Sequence, residues 1–209
     1  MPLIYTEGCR SWTEPYSLTV TTVLKRRFVT LAEYFVLDSS STQRCEYRNG
    51  EVFCMGGAQP EHNTICVNLL TELRIGLRPR GCRPFSSDQR VKVNTGSPYL
   101  YPDLSVACDP RYTTINGLRT LLNPVLIIEV TSRSTARDDR GAKFLQYQTI
   151  DTLSDYVLID STTIGALHYR KDGALWQPQL IEQPDGYLTI DRLGITLPIA
   201  NIYVDSEVG

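Results

Sequence analysis

The apolar run at residues 124–130, PVLIIEV, restricts the possible folds of this chain more than any other segment. A nearly unbroken series of β-branched and other apolar residues is typical of a central β-strand that is covered on both faces. The run at residues 155–160, DYVLID, predicts a second buried strand. The two runs therefore predict a layered α/β or α+β domain with a central mixed β-sheet flanked by helices.

Local patterns in the first half of the chain predict a short helix and a hairpin. Thr30 and Glu33 have the spacing of a capping box, which marks the start of a helix. Asn49 and Gly50 separate two short alternating runs within residues 45–55, CEYRNGEVFCM. Because Asn-Gly readily adopts the positive φ angles of a two-residue turn, this segment is predicted to be a β-hairpin.

Two further helices are predicted from apolar spacing and from charges at helix ends. Residues 61–77 have apolar side chains at three- and four-residue intervals, which indicates an amphipathic helix. Residues 138–150 form another predicted helix, with Asp138 and Asp139 at the end where the helix dipole favours negative charge. Strands are predicted over residues 90–93 and 100–108, and a β meander over residues 165–202.

Length and composition indicate one globular domain. A chain of 209 residues with 42% hydrophobic and 21% charged residues can bury one full core. We expect this domain over residues 28–205, after an aperiodic extension at residues 1–27 that holds at most one strand, at residues 16–23. The chain shows no run of 18 apolar residues and no leader pattern, which predicts a soluble cytoplasmic protein without a membrane partner.

Charge and cysteine spacing narrow the function classes. The net charge of -2 excludes a broadly basic surface, so any nucleic acid must be bound locally. The cysteines lack the C-x-x-C spacing of zinc sites, so we expect reduced and mostly buried thiols, and a thiol site made of Cys54, His62 and Cys66 is disfavoured. The six cysteines are Cys9, Cys45, Cys54, Cys66, Cys82 and Cys108.

Two acidic residues lie inside predicted strands, Asp103 in YPDLSVAC and Glu129 in VLIIEVTS. A buried carboxylate loses several kcal/mol of hydration, which a partner or a metal must offset. On neighbouring strands the two carboxylates would lie roughly 5 Å apart and would repel each other unless a cation lay between them. Oxygen ligands of this kind favour Mg²⁺ or Mn²⁺.

The predicted helix after Glu129 supplies a cationic side chain. Lys143 lies early in this helix, and Gln146 and Tyr147 share its face. A lysine near the strand ends can stabilise negative charge that develops on a phosphate, so the combination indicates metal-assisted phosphodiester hydrolysis. The alternative interpretations are a turn residue for Asp103, a solvated helix face for Lys143 and core packing for Tyr147.

Several of these segments resemble the Uma-type restriction endonuclease family, over residues 28–203. The resemblance implies the restriction-endonuclease-like fold of the PD-(D/E)xK nucleases. The segments that carry it, in chain order, are CEYRNGEV, PEHNTICVNLLTEL, YPDLSVACDP, VLIIEVTSRSTARDDRGAKFLQYQTI and DYVLID.

The resemblance also implies roles for particular residues. Asp103 belongs to the PD half of the motif and Glu129 is its second acid. Thr131 stands where the motif has its lysine. The lysine is therefore expected to have migrated to the helix, as Lys143 with Gln146 nearby.

An additional acidic ligand is implied by the same resemblance, with two candidates. Glu46 is favoured because the hairpin strand can place it beside the sheet, whereas Glu61 has an ordinary stabilising role at a helix N-terminus. His62 has either a functional role, as a metal ligand or a proton carrier, or a purely structural one. The residues that either contact DNA phosphates or form a solvated helix face are Arg74, Arg78 and Arg80.

The sequence thus predicts a Mg²⁺- or Mn²⁺-dependent endodeoxyribonuclease in which the Val130 carbonyl assists Asp103 and Glu129 in holding the metal. A homodimer is expected because cutting both strands of a duplex favours two identical sites related by a two-fold axis. The rival prediction is a catalytically inactive DNA-binding or regulatory module of the same fold, favoured by the missing strand lysine and the acidic net charge. The third prediction is a structural or protein-interaction domain that binds no metal.

Overall fold

The computed structural model describes residues 28–93, 98–132 and 135–208. The extension at residues 1–27 and its strand lie outside the described residues, and the domain boundaries stay a prediction. The helices are α1 (Leu31–Ser40), α2 (Pro60–Leu77), α3 (Ala136–Asp138), α4 (Phe144–Tyr147) and α5 (Ile199–Tyr203), and a π-helical turn (Asp139–Lys143) joins α3 to α4. The strands are β1 (Cys45–Arg48), β2 (Glu51–Cys54), β3 (Cys82–Ser86), β4 (Val91–Lys92), β5 (Tyr99–Leu100), β6 (Leu104–Cys108), β7 (Tyr112–Ile115), β8 (Leu118–Leu121), β9 (Leu126–Thr131), β10 (Asp155–Asp160), β11 (Ala166–Asp172), β12 (Leu175–Ile181), β13 (Tyr187–Ile190) and β14 (Ile195–Pro198).

Six strands form the central sheet, in the order β12-β11-β10-β9-β6-β3. β9 and β10 are parallel neighbours, and the other pairs in this sheet are antiparallel. All residues of β9 are buried, as the apolar run predicts. The mixed sheet and its flanking helices confirm the predicted α+β class.

The residues of β9 alternate between two hydrophobic clusters. Leu126, Ile128 and Val130 pack in the cluster that contains the buried face of α2. Ile127 packs in the cluster that contains the buried residues of α4. Because successive side chains of a strand point to opposite faces, Glu129 lies on the same face as Ile127 and is directed toward α4.

A second sheet has the order β2-β1-β5-β4-β8-β7. Its β1–β2 hairpin matches the prediction, since Asn49 and Gly50 have φ angles of 50° and 89°. The capping box of Thr30 and Glu33 is also present at the start of α1. The strand predicted over residues 90–93 contains β4, and the one predicted over residues 100–108 contains β6 of the central sheet. The second sheet as a whole was not predicted, because β4 and β5 contain only two residues each.

The helix predicted over residues 138–150 differs in the structure. Helical backbone begins at α3, continues through the π-helical turn and ends with α4 at Tyr147. A π-helical turn has wider i to i+5 hydrogen bonding, which redirects the side chains around it. Asp139 and Lys143 are both buried in this turn, so Asp139 faces inward and does not simply complement the helix dipole.

The C-terminal segment forms three separate pieces of structure. β11 and β12 extend the central sheet, as the meander predicts. β13 and β14 instead form a two-stranded sheet of their own, and the short helix α5 after Pro198 was not predicted. Among the described residues, no helix is long and apolar enough to cross a membrane.

Four cysteines contradict the prediction of reduced thiols. Cys45 is bonded to Cys54, and Cys82 to Cys108. The members of each pair lie directly opposite each other in an antiparallel register, with Cα atoms 3.9 Å and 4.0 Å apart. The predicted two-residue turn at Asn49 and Gly50 implies the opposition of Cys45 and Cys54, but the absence of C-x-x-C spacing led to a prediction of thiols. The register that brings Cys82 opposite Cys108 joins distant segments, so spacing along the chain does not reveal it. Within the described residues, Cys66 is the free cysteine.

Candidate active site

Asp103 and Glu129 lie side by side at the edge where β6 begins. The register of β6 and β9 pairs Leu104 with Ile128, so Asp103 is opposite Glu129 one residue further along. The backbone N–H of Asp103 donates to Glu129 Oε2 at 3.2 Å, and the N–H of Val130 donates to Asp103 Oδ2 at 2.8 Å. These backbone bonds hold both carboxylates in fixed positions.

Lys143 reaches this acidic pair from the π-helical turn. Its Nζ lies 3.1 Å from Glu129 Oε1, 3.3 Å from Glu46 Oε1 and 3.5 Å from Asp139 Oδ1. The side chain is 11% exposed, so the ammonium depends on these carboxylates and not on bulk water. The hydroxyl of Tyr147 donates to Glu129 Oε1 at 3.0 Å from the next turn.

Glu46 joins the cluster from β1. Its Oε1 accepts from the N–H of Tyr101 at 3.1 Å, and its Oε2 accepts from an Arg48 guanidinium nitrogen. The other terminal nitrogen of Arg48 donates to Asp138 Oδ2. Glu61, the alternative acid, lies in the first turn of α2 and does not line the cavity at this cluster.

A buried ion pair supports the segment that carries Asp103. Arg90 donates to Asp38 Oδ2 at 2.7 Å, and the hydroxyl of Tyr101 donates to the same oxygen at 2.8 Å. Tyr101 thus contacts Asp38 through its hydroxyl and Glu46 through its backbone. This arrangement fixes the chain just before Pro102 and Asp103.

The ionisation of the cluster reflects burial and crowding of negative charge. Burial raises the pKa of Glu129 to about 8; Lys143 opposes this shift, and Asp103, Asp139 and Glu46 add to it. Burial alone lowers the pKa of Lys143, but the carboxylates around it raise that pKa above its ordinary value. Lys143 therefore stays charged at neutral pH, whereas Glu129 is mostly protonated at pH 7.

His62 extends the site from the first turns of α2. Its Nε2 lies 3.3 Å from Asp103 Oδ2, and its Nδ1 lies 3.6 Å from Cys66 Sγ. Burial lowers the pKa of His62, but the hydrogen bond and charge of Asp103 outweigh that effect and raise it. Because Cys54 forms a disulfide, the disfavoured thiol site is excluded.

A cavity of about 490 Å³ next to the cluster contains Gln146 together with Arg48 and Asp138. Gln146 Oε1 is buried, and among the described residues it has no hydrogen-bond partner. The acidic cluster itself opens into a different cavity of about 860 Å³. Gln146 and the acidic cluster thus line different cavities, which have Arg48, Phe53 and Asp138 in common.

The predicted phosphate-binding arginines are distant from the cluster. Arg74, Arg78 and Arg80 are exposed around the C-terminal end of α2, whereas His62 lies at its start. At 1.5 Å per residue, Arg74 lies about 18 Å further along the helix axis than His62. Arg80 also donates to the carbonyl oxygen of Gly194 at 2.6 Å.

Some residues of the site were not identified in the sequence as site residues. Arg48 could have been found, because it lies two residues after Glu46 and therefore on the same face of β1. Asp139 could have been found as the i, i+4 partner of Lys143. Cys66, four residues after His62 on α2, was considered only as part of the disfavoured thiol site. Tyr147 was interpreted as core packing, and it is both buried and bonded to Glu129.

The fold places this chain in the restriction-endonuclease-like class. A solved structure of "a putative nuclease belonging to DUF820" from Anabaena variabilis is similar over 84% of this chain and 98% of that chain, with a TM-score of 0.69 and 20% sequence identity. Two uncharacterized proteins of Synechocystis sp. are 34% and 31% identical, over 72% and 82% of this chain and 85% and 89% of theirs. The model of the Uma2 family, described as "Putative restriction endonuclease", matches residues 31–200. The chain belongs to the Uma2 family, as its sequence segments predict.

Proposed function

We propose that this protein hydrolyses phosphodiester bonds of DNA with the help of Mg²⁺ or Mn²⁺. The observation that carries the proposal is the contact of Asp103 with Glu129 and of Glu129 with Lys143, from three separate segments of the chain. Membership of a family described as a restriction endonuclease, and the likeness to a structure described as a nuclease, support the same class of reaction.

The donor set fits a hard divalent cation. Carboxylate oxygens are the ligands that Mg²⁺ and Mn²⁺ prefer. When the carboxylates are ionised and His62 is neutral, five carboxylates face two cationic side chains, which leaves an excess of three negative charges. Burial, with a smaller contribution from the neighbouring carboxylates, raises the pKa of Glu129, and a bound cation would favour its ionised form. The charged groups are Glu46, Asp103, Glu129, Asp138 and Asp139 against Arg48 and Lys143.

In this proposal the cation is held by Asp103, Glu129 and the carbonyl oxygen of Val130, with Glu46 as a further ligand. When bound, a divalent cation supplies Lewis-acid stabilisation of the phosphate and lowers the pKa of the attacking water. The backbone bonds to Asp103 and Glu129 orient both carboxylates before any substrate binds.

Lys143 would stabilise the negative charge that develops on the scissile phosphate. Its ammonium is already held by three carboxylates, so substrate need not order it. Thr131, at the lysine position of the motif, is buried, and its hydroxyl donates to the Ile159 carbonyl at 3.3 Å. The helix therefore provides the cation that the strand lacks.

His62 and Gln146 have auxiliary roles in the proposal. His62 lies within 3.3 Å of Asp103 and can exchange a proton with water in the cavity. The unpaired Oε1 of Gln146 is available to accept a hydrogen bond from water or substrate in the adjoining cavity. The excess of negative charge argues against a module that binds DNA at this cavity without a metal.

The proposal is tested with supercoiled plasmid and with single-stranded DNA in Mg²⁺, Mn²⁺ or EDTA. We expect cleavage that requires the metal and that falls at least about 100-fold in Asp103→Asn, Glu129→Gln and Lys143→Ala. Glu182→Gln, an exposed acid on another surface, serves as the matched control and should cleave as the wild type does. Cleavage in EDTA, or equal cleavage by all variants, would refute the proposal.

Assembly and substrate belong to the same proposal. Cleavage of both strands of a duplex is simplest with two identical sites, so a homodimer is proposed. Sedimentation velocity should give the mass of two chains for the purified protein alone. In the presence of a DNA duplex it should give the mass of two chains plus one duplex. A monomer that cuts only one strand per encounter would contradict the dimer while leaving the hydrolytic site intact.

A further inference from the structure

His62, Cys66 and Asp103 form a second cluster of potential metal ligands beside the acidic site. One ligand atom from each residue lies within 4.8 Å of the other two. His62 and Cys66 are four residues apart on α2, so both side chains lie on one face of the helix. Asp103 faces them from the start of β6.

We propose that these three residues bind Zn²⁺ or a similar borderline-soft divalent cation. Tetrahedral zinc sites use Cys, His and Asp ligands at about 2.0–2.3 Å, which places the ligand atoms about 3.3–3.7 Å from one another. The pair His62 Nε2 and Asp103 Oδ2, at 3.3 Å, already has this spacing. Cys66 Sγ lies 3.6 Å from the other ring nitrogen, Nδ1, so a tetrahedral set on one nitrogen requires the remaining distances, at most 4.8 Å, to shorten by up to about 1 Å.

The surroundings favour a site with three protein ligands and an open position. All three residues line the cavity of about 860 Å³, through which an ion and a water molecule can enter. Asp103 is held by the N–H of Val130, so one ligand is already oriented. Binding would replace the proton of the Cys66 thiol with the metal and release that proton to water.

This site would prefer a different metal from the acidic cluster. Thiolate and imidazole ligands select Zn²⁺ over Mg²⁺, whereas an all-oxygen set does the reverse. Because both sites need Asp103, occupation by Zn²⁺ would withdraw one ligand from the metal of the proposed nuclease. That inhibitory consequence rests on the proposed function, but the binding of Zn²⁺ does not.

The binding is tested with Co²⁺, because cobalt bound to a thiolate gives an intense charge-transfer absorption. Every preparation carries Cys9→Ser and is kept free of reductant, so that the thiol being tested is Cys66. We expect a cobalt–thiolate band that saturates at about one equivalent and disappears when Zn²⁺ is added. The band should be absent in Cys66→Ala, and the apparent affinity should fall at least about 100-fold in His62→Ala.

Asn63→Ala, an exposed neighbour on the same helix, is the matched control and should keep the band. Circular dichroism of each variant establishes that it is folded. A folded protein without the band, or a band that persists in Cys66→Ala, would overturn the zinc site. A band in a protein that does not cleave DNA would leave the zinc site standing and count against the nuclease alone.

Discussion

Replacing Lys143 by methionine removes the positive charge shared by three buried carboxylates. The substitution preserves much of the side-chain volume but leaves Glu46, Glu129 and Asp139 without the ammonium that lies 3.1–3.5 Å from them. Breaking a buried ion pair in this way costs about 3–5 kcal/mol. For a domain of this size each kcal/mol lowers Tm by about 2–4 °C, so we expect a loss of about 6–20 °C at pH 8 in EDTA.

The assay is thermal unfolding at pH 5 and pH 8, with and without Mn²⁺. The loss should be smaller at pH 5, where protons take the place of the ammonium, and Mn²⁺ should raise the Tm of the variant more than that of the wild type. Lys92→Met, on β4 of the second sheet, is the control and should change stability by no more than about 0.5 kcal/mol. Equal losses for the two variants, or a loss at Lys143 that is independent of pH, would refute the charge argument.

Three other predictions concern stability. The pKa of Glu129 is raised in the folded state, so the stability that Glu129 contributes is lost as the pH rises from the ordinary glutamate pKa, near 4.3, to about 8. The Tm of Glu129→Gln minus that of the wild type, both in EDTA, should therefore rise with pH over this interval. A Tm difference that does not change with pH would contradict this prediction. Thr30→Ala removes the cap of α1 and should cost about 1 kcal/mol in urea unfolding, whereas an unchanged midpoint would show that the cap contributes nothing. Replacing Cys82 and Cys108 by serine opens a loop with a sequence separation of 26 and should lower the free energy of unfolding by about 3.5 kcal/mol. Equal stability would argue against this disulfide.

The parts of the fold that could be predicted are those with local patterns. The apolar run of β9, the Asn49-Gly50 turn and the amphipathic α2 each depend on residues close together in the sequence. The second sheet was missed because its short strands are paired through contacts between distant segments. The Cys82–Cys108 disulfide was missed for the same reason, since the register that brings these two residues opposite each other belongs to the folded chain.

The residues of the candidate site likewise divide into those that a local pattern predicts and those whose placement depends on the folded chain. Asp103 and Glu129 were evident because an acid inside a buried strand requires a partner. The sequence favoured Glu46 over Glu61 through the predicted hairpin, and the structure places Glu46 Oε1 3.3 Å from Lys143 Nζ. Gln146 shares the helix face of Lys143 in a regular helix, but it lines a different cavity in the structure. The π-helical turn before it could not be foreseen from side-chain spacing.

The central claim is that Asp103 and Glu129 hold the divalent cation used in hydrolysis. Electron paramagnetic resonance of free Mn²⁺ during a protein titration counts the bound metal directly. We expect about one Mn²⁺ per chain in the wild type, and binding weakened at least about 10-fold in Asp103→Asn and in Glu129→Gln. Unchanged Mn²⁺ binding in both folded variants, or no binding to the wild type, would contradict it.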